Sequence, residues 1–350
     1  MNITFLCPDL RISGGVRVIL AFADRLAGRG HHVEVVVPAW RRLKAFWRTI
    51  RGVGPNWLPK FRGTIRWVDQ WTPVELPEAD VIVATFWPTA QVVTEAPALC
   101  GTKFYLIQHY ESLFFGTPGV VDATYSLPLR KIVVSTWLRD IMRDRFESHA
   151  EALIPPVDLE LFHPVPVTIR TSRPRVLMMH SETPWKGVAD GIEAVAMVKQ
   201  KVPQLYLVGF GVKPPREPLP YDEFHSNLPQ EKLAALYSGC DIYLCSSWHE
   251  GLGLPSMEAM ACGTALVTYD TGGCRDYARD GETALVAERR DVADLAAKLE
   301  RMALDAELRE RIAAAGMAFI RTAFAWDDAV RRMEAIFEDA ATPVQQIQAT

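Results

Sequence analysis

The chain has 350 residues, 49% of them hydrophobic and 23% charged. That balance excludes disorder and a fibrous repeat, and the length exceeds one ordinary core, so two domains with a cleft between them are expected. Lys and Arg number 38 against 42 Asp and Glu, a net charge of -4, which leaves no surplus for binding a nucleic acid.

The N-terminal run Met1–Leu6 carries no basic leader and no small-residue cleavage site, so it reads as a first strand and not a signal peptide. No uncharged apolar stretch of about 18 or more residues follows, so no spanning helix is expected and the protein is read as cytoplasmic. Strand candidates in the first half are Ile3–Cys7, His32–Val37, Asp80–Phe86, Lys103–Gln108 and Lys131–Ser135, each nearly continuously apolar, as a sheet covered on both faces requires. The first helix places Val16, Ile19, Leu20, Ala23, Leu26 and Ala27 on one stripe.

Proline density rises from Ile154 to Pro166, where a linker is expected. The pattern restarts with strands at Arg175–Met179, Leu205–Val208, Asp241–Cys245, Ala265–Tyr269 and Ala284–Ala287. Helices are expected at Gly187–Lys201, Gln230–Ser238, Pro255–Ala261 and Asp291–Leu304. Three helical stretches finish the chain, the last being amphipathic Trp326–Asp339, with a frayed tail over 342–350. The class is α/β: parallel sheets built from repeated βα units. The expected domains are 1–163, 164–325 and a C-terminal helix from 326 that returns to the first domain.

Six cysteines (Cys7, Cys100, Cys240, Cys245, Cys262, Cys274) form no C-x-x-C pair and no Cys/His cluster, so they read as reduced core residues, and no metal site or cofactor is expected. The densest chemical signal is Ser246 to Gly263. An apolar strand runs into the loop Glu250-Gly251-Leu252-Gly253-Leu254, then into a helix with Pro255 at its start and Gly263 at its end. Loop amides and the positive end of a helix dipole at a sheet's carboxyl edge suit a diphosphate. Glu250 and Glu258 would repel that phosphate, so they read as acceptors for hydroxyls, which a ribose and a sugar supply. Taken alone, Glu250 reads as a solvated loop carboxylate and Glu258 as one paired with a neighbouring helix; the combined motif favours the functional reading.

This stretch, with Cys262 to Val267, Thr271-Gly272-Gly273 and Asp280 to Val286, resembles the E-x7-E signature of retaining glycosyltransferase family 4, the glycosyl transferases group 1. The resemblance implies the GT-B fold, two Rossmann-like domains facing across a cleft, and a nucleoside-diphosphate sugar as donor. It implies that Glu258 holds the donor ribose, that Glu250 contacts the transferred sugar, and that Lys186, in Thr183-Pro184-Trp185-Lys186-Gly187, neutralises the donor phosphates without a metal. A glycan, lipid-linked or small-molecule acceptor is implied, in cell-surface polysaccharide or glycoconjugate synthesis. In the family an arginine usually stands five or six residues before that lysine; here those positions are Ser181 and His180. Arg17, Arg11 and Arg275 are candidate substitutes. An epimerase, a phosphorylase or an inactive binding module on the same fold are the alternatives.

Ser13-Gly14-Gly15 follows the first strand and opens the first helix, where the absence of Cβ atoms lets amides approach a ligand. In the family this loop contacts the donor diphosphate or the acceptor. His109 ends the strand Phe104–Gln108, and the family carries at that strand end a histidine that contacts the donor sugar. Asp9 and Glu111 are also at strand ends. Between Ala39 and Val68 there is no acid, yet eight cations interleave with Trp40, Phe46, Trp47, Trp57, Phe61 and Trp67. Trp40–Trp67 therefore reads as an anionic-membrane contact, as a contact for a charged acceptor, or as a solvated loop and helix packing its rings inward.

Overall fold

The computed structural model describes residues 1–167 and 173–341; the expected frayed tail lies outside them. The chain divides into two compact units, Met1–Pro155 joined by the chain from Asp327, and Pro156–Trp326.

The first unit runs β1 (Asn2–Leu6), α1 (Gly14–Gly28), β2 (His32–Pro38), α2 (Arg42–Ile50), β3 (Thr64–Val68), β4 (Val81–Ala84) and α3 (Trp87–Glu95). It continues with β5 (Thr102–Ile107), α4 (Pro118–Tyr125), β6 (Arg130–Val133), α5 (Thr136–Phe146) and β7 (Ala150–Ala152). Its seven-stranded sheet has the order β3-β2-β1-β4-β5-β6-β7, with every pairing parallel. The order reverses between β1 and β4, so the loops leaving those strands splay apart and leave a crevice at the carboxyl edge. Ser13 caps α1 by accepting from Val16 N–H at 3.3 Å, and Val16, Ile19, Leu20, Ala23 and Leu26 are buried beneath the helix.

The second unit repeats the plan: β8 (Arg175–Met179), α6 (Val188–Lys199), β9 (Tyr206–Gly211), β10 (Glu223–Ser226), α7 (Gln230–Ser238) and β11 (Ile242–Cys245). It is completed by α8 (Leu254–Ala261), β12 (Ala265–Tyr269), β13 (Leu285–Ala287), α9 (Val292–Leu304) and α10 (Ala306–Ala323). The six-stranded parallel sheet is ordered β10-β9-β8-β11-β12-β13, so its switch point lies between β8 and β11. Val176, Leu207, Leu244, Val267 and Leu285 form the sheet side of the core, and Val195, Val198, Leu295 and Leu299 the helix side.

Strands β3, β7 and β10 have no counterpart in the sequence expectation. All three are edge strands, half-covered and polar: Thr64–Val68 buries Trp67 alone, and Glu223–Ser226 buries nothing. An edge strand needs no continuous apolar run, which is why periodicity passes over it.

Helix α11 (Trp326–Ala341) packs on the first unit from Asp327 onward. Phe337 is fully buried with its ring 4.9 Å from that of Phe104, Arg332 pairs with Glu151 at 2.6 Å, and Glu334 takes both Arg29 at 2.7 Å and His31 at 2.8 Å. Phe337→Ala is expected to destabilise the first unit by about 3–5 kcal/mol through the transfer term and the cavity left at Phe104, checked by chemical denaturation. A loss below about 1 kcal/mol would show that α11 does not anchor there.

Candidate functional site

Three loops leave the carboxyl edge of the second sheet around its switch point: 180–187 after β8, 246–253 after β11 and 270–277 after β12. They are stitched to one another. Trp248 N–H donates to Trp185 O at 2.8 Å, and Ser246 Oγ donates to Lys186 O at 3.2 Å. Gly187 has φ +58°, and a Cβ built there would lie 2.0 Å from Ser246 O, so neither the conformation nor the space admits a side chain. On the other side Glu250 N–H donates to Thr271 O at 3.1 Å and Gly273 N–H to Glu250 O at 3.2 Å. A Cβ on Gly273 would stand 2.5 Å from Gly251 O.

This stitching sets the side chains. Lys186 ends a 3-10 turn over Pro184–Lys186, and its Nζ donates to Glu250 Oε1 at 2.7 Å. The lysine side chain is 22% exposed and that of Glu250 11%, so the pair is largely shielded from water and from screening salt. Glu258 lies one turn inside α8, 2% exposed, where its Oε2 accepts from Tyr237 Oη at 3.3 Å. Both carboxylates act on Tyr243: its phenol is pushed far up, first by burial, then by the charges of Cys245, Glu250 and Glu258.

Helix α8 opens at Gly253, with φ +99° and a carbonyl that accepts from Tyr277 Oη at 3.2 Å. A Cβ at Gly253 would sit 2.4 Å from that hydroxyl. Gly251, Leu252 and Gly253 are buried and Leu254 half-buried, and Pro255 takes an early position where no N–H is required. The positive end of the α8 dipole thus opens in the same loop that carries Glu250 and faces the Lys186 ammonium, a combination suited to an anion flanked by hydroxyls. Sequence reasoning missed Tyr237 and Tyr277, which hold Glu258 and Gly253, because a tyrosine in a helix or loop carries no motif of its own.

The other candidate residues fall elsewhere. Arg275 forks onto Asp270, with Nη2 at 2.6 Å and Nε at 3.0 Å, so its charge is compensated locally. Where the arginine of related sequences would stand, His180 is buried edge-on to Tyr221 and Phe224, and Ser181 Oγ accepts from Thr183 N–H at 3.2 Å. In the first unit Arg11 pairs with Asp9 at 2.6 Å and is 90% exposed, while Arg17 lies in the first turn of α1. Gly14 has open space where a Cβ would point, and a Cβ on Gly15 would meet Gln108 Nε2 at 3.3 Å, placing the glycine turn beside the strand end that carries His109. The His109 ring stands edge-on to Phe114 at 4.9 Å and to Trp137 at 6.4 Å. Glu111 is 7% exposed and accepts from Trp87 N–H at 2.9 Å, capping α3, and from Tyr105 Oη at 3.2 Å. Burial raises its pKa from 4.5 to about 8 against those two bonds. All six cysteines are buried, and burial pushes the Cys7, Cys240 and Cys262 thiols up to about 12.

Residues 162–319, which hold every one of these three loops, match the family described as Glycosyl transferases group 1. The D-inositol 3-phosphate glycosyltransferase of Thermomonospora curvata is 36% identical over 121 residues, 35% of this chain and 28% of that protein. The MMP alpha-(1->4)-mannosyltransferase of Mycolicibacterium hassiacum is 32% identical over 233 residues, 62% of this chain and 56% of that protein. The chain thus spans between about a quarter and somewhat over half the length of these two relatives. Sucrose-phosphate synthase from Thermosynechococcus elongatus superposes with a TM-score of 0.75 at 18% identity, covering 97% of this chain and 98% of that one. Anabaena HepE in complex with UDP superposes with a TM-score of 0.77 at 16% identity, covering 97% of this chain and all of that one. The chain has the fold of GT-B glycosyltransferases, two parallel-sheet α/β domains.

Two expected outcomes follow from this geometry. Lys186 and Glu250 should shift nucleoside-diphosphate affinity in opposite directions: Lys186→Ala weakens binding by one to two orders of magnitude, whereas Glu250→Gln, which removes a repelling carboxylate and releases the ammonium, leaves it unchanged or tighter. Titration calorimetry with UDP, GDP and ADP checks this, and equal losses in both variants would contradict it. Glu111 binds a proton more tightly folded than unfolded, so it lowers stability as pH rises from about 4.5 to about 8. Glu111→Gln should flatten the fall in melting temperature across that window; parallel curves for variant and wild type would refute the assignment.

Proposed function

We propose that the protein is a retaining glycosyltransferase that takes a sugar from a nucleoside diphosphate held on the second unit. The observation that carries the reading is the Lys186–Glu250 pair at 2.7 Å, set by three interlocked loops beside the opening of α8, with Glu258 one turn along that helix. The match of residues 162–319 to the group 1 family and the superposition on HepE with UDP support it.

In this reading the diphosphate lies at the Gly251–Gly253 loop and the start of α8, and Lys186 shifts from Glu250 to its oxygens. Glu258 accepts from ribose hydroxyls and Glu250 from a hydroxyl of the sugar. As the bond from the anomeric carbon to the phosphate oxygen breaks, charge grows on the leaving diphosphate, where a fixed ammonium and helix amides stabilise it most. The acceptor hydroxyl attacks on the same face and passes its proton to the departing phosphate, which preserves anomeric configuration without a covalent intermediate. Positive charge supplied by the chain itself makes turnover independent of added divalent ions. The name of a related protein, an O-antigen biosynthesis protein of Myxococcus xanthus, supports a role in cell-surface glycan or glycoconjugate synthesis, and the acceptor in this reading is a glycan, a lipid-linked sugar or a small molecule.

A second reading, a donor-binding module without turnover, is favoured by Ser181 and His180, which leave the phosphate clamp short of one cation. A thermal-shift panel of UDP-, GDP-, ADP- and dTDP-sugars, followed by nucleoside-diphosphate release with and without EDTA, tests both. The retaining-transferase reading expects one nucleotide class to stabilise by about 2.7 kcal/mol at 100 times its Kd, and slow donor hydrolysis that EDTA leaves intact. Stabilisation with no release of diphosphate supports the binding module. No shift with any donor removes both.

A further inference from the structure

The segment from Ala39 to Val68, with eight cations and no acid, divides cleanly in the structure. Its later half serves the fold of the first unit. Trp57 Nε1 donates to Leu10 O at 2.9 Å and Trp67, 8% exposed, to Val53 O at 2.8 Å; Arg62 pairs with Asp24 at 2.6 Å and Arg66 with Glu34 at 2.9 Å.

The earlier half is turned inside out. Of the residues of α2 only Ala45 is buried. At about 100° per residue, Leu43, Phe46, Trp47 and Ile50 fall in a stripe about 100° wide whose centre points away from Ala45. These four side chains are 74%, 57%, 50% and 61% exposed, and Trp40 just before the helix is 64% exposed. Arg42 borders the stripe on one side and Lys44 and Arg51 on the other, with Arg41 at its head, while Arg48 turns back over the ring of Trp67 at 4.1 Å. An ordinary surface helix buries its apolar stripe and solvates its charges; here the apolar stripe faces water and the cations line its edges.

We propose that Trp40–Val53 is a docking element that lays α2 into the surface of an anionic lipid layer, with Leu43, Phe46, Trp47 and Ile50 entering the headgroup boundary. Charge complementarity selects the occupant. Four cations, with the Asp69 carboxylate 3.9 Å from Arg42, match a negatively charged surface, whereas a second copy would set four cations against four. Exposed tryptophans, apolar in body with a polar N–H, suit the same boundary. The element belongs to the first unit alone and does not depend on the donor or the acceptor.

Vesicle flotation of the full-length chain tests it. Binding is expected to vesicles of phosphatidylcholine with phosphatidylglycerol at low salt, to weaken steeply as salt rises, and to be absent with phosphatidylcholine alone. Changing Arg41, Arg42 and Lys44 together to Gln should lower partitioning on the order of 100-fold, since each cation near an anionic surface contributes about fivefold. Phe46→Ser with Trp47→Ser should abolish it, while melting temperature and donor hydrolysis stay at wild-type values because all five positions are exposed. Three outcomes overturn the proposal: no flotation at low salt, wild-type flotation of the Phe46/Trp47 variant, or a dimer by sedimentation equilibrium that this variant dissolves without any vesicle binding. Loss of donor hydrolysis with flotation intact would instead count against the transferase reading.

Discussion

The second unit depends on one close approach, that of Gly187 to the carbonyl of Ser246. With φ +58° and no Cβ, Gly187 lets the loop leaving β8 lie directly on the loop leaving β11, at the one place in the sheet where the strand order reverses. The approach brings Lys186 onto Glu250 and leaves Trp248 free to reach Asp190, whose Oδ2 accepts its Nε1–H at 2.8 Å. Gly273 repeats the device against Gly251 O on the far side. The ion pair is thus the product of two backbone contacts, and its shielding makes it more than a surface bridge, which would contribute little.

Pairing the lysine with a carboxylate before any ligand arrives has a chemical consequence. In the proposed reading the ammonium is oriented by one charged hydrogen bond, and an arriving diphosphate exchanges that bond for its own. Glu250 is released at the same moment to accept from a hydroxyl. One movement of a side chain therefore links phosphate binding to sugar recognition, which is the coupling a transferase needs if binding is to serve the transition state.

Much of this was legible in the sequence, for identifiable reasons. Strands at the centre of each sheet are apolar on both faces, so Arg175–Met179 and Ala265–Tyr269 are read to the residue. Edge strands such as Glu223–Ser226 carry no such run and are invisible to periodicity. The loop before Pro255 is conspicuous because glycine, proline and two glutamates sit at fixed spacing around a helix start. Nothing in the spacing shows that Lys186, 64 residues before Glu250, bonds to it, nor that Tyr237 reaches Glu258, because such contacts arise from the order of strands. The basic aromatic segment admitted several readings in sequence, and the structure separates its parts: Trp57 and Trp67 turn inward while Phe46 and Trp47 face out.

The central claim is that the three loops around Lys186, Glu250 and Glu258 form a nucleoside-diphosphate sugar site. A crystal structure of the chain grown with the donor that gives the largest thermal shift tests it most directly. The account predicts diphosphate density at the Gly251–Gly253 loop, Lys186 Nζ moved from Glu250 onto a phosphate oxygen, and ribose hydroxyls on Glu258. Donor density at any other edge of the second sheet, with the Lys186–Glu250 pair undisturbed, would contradict it.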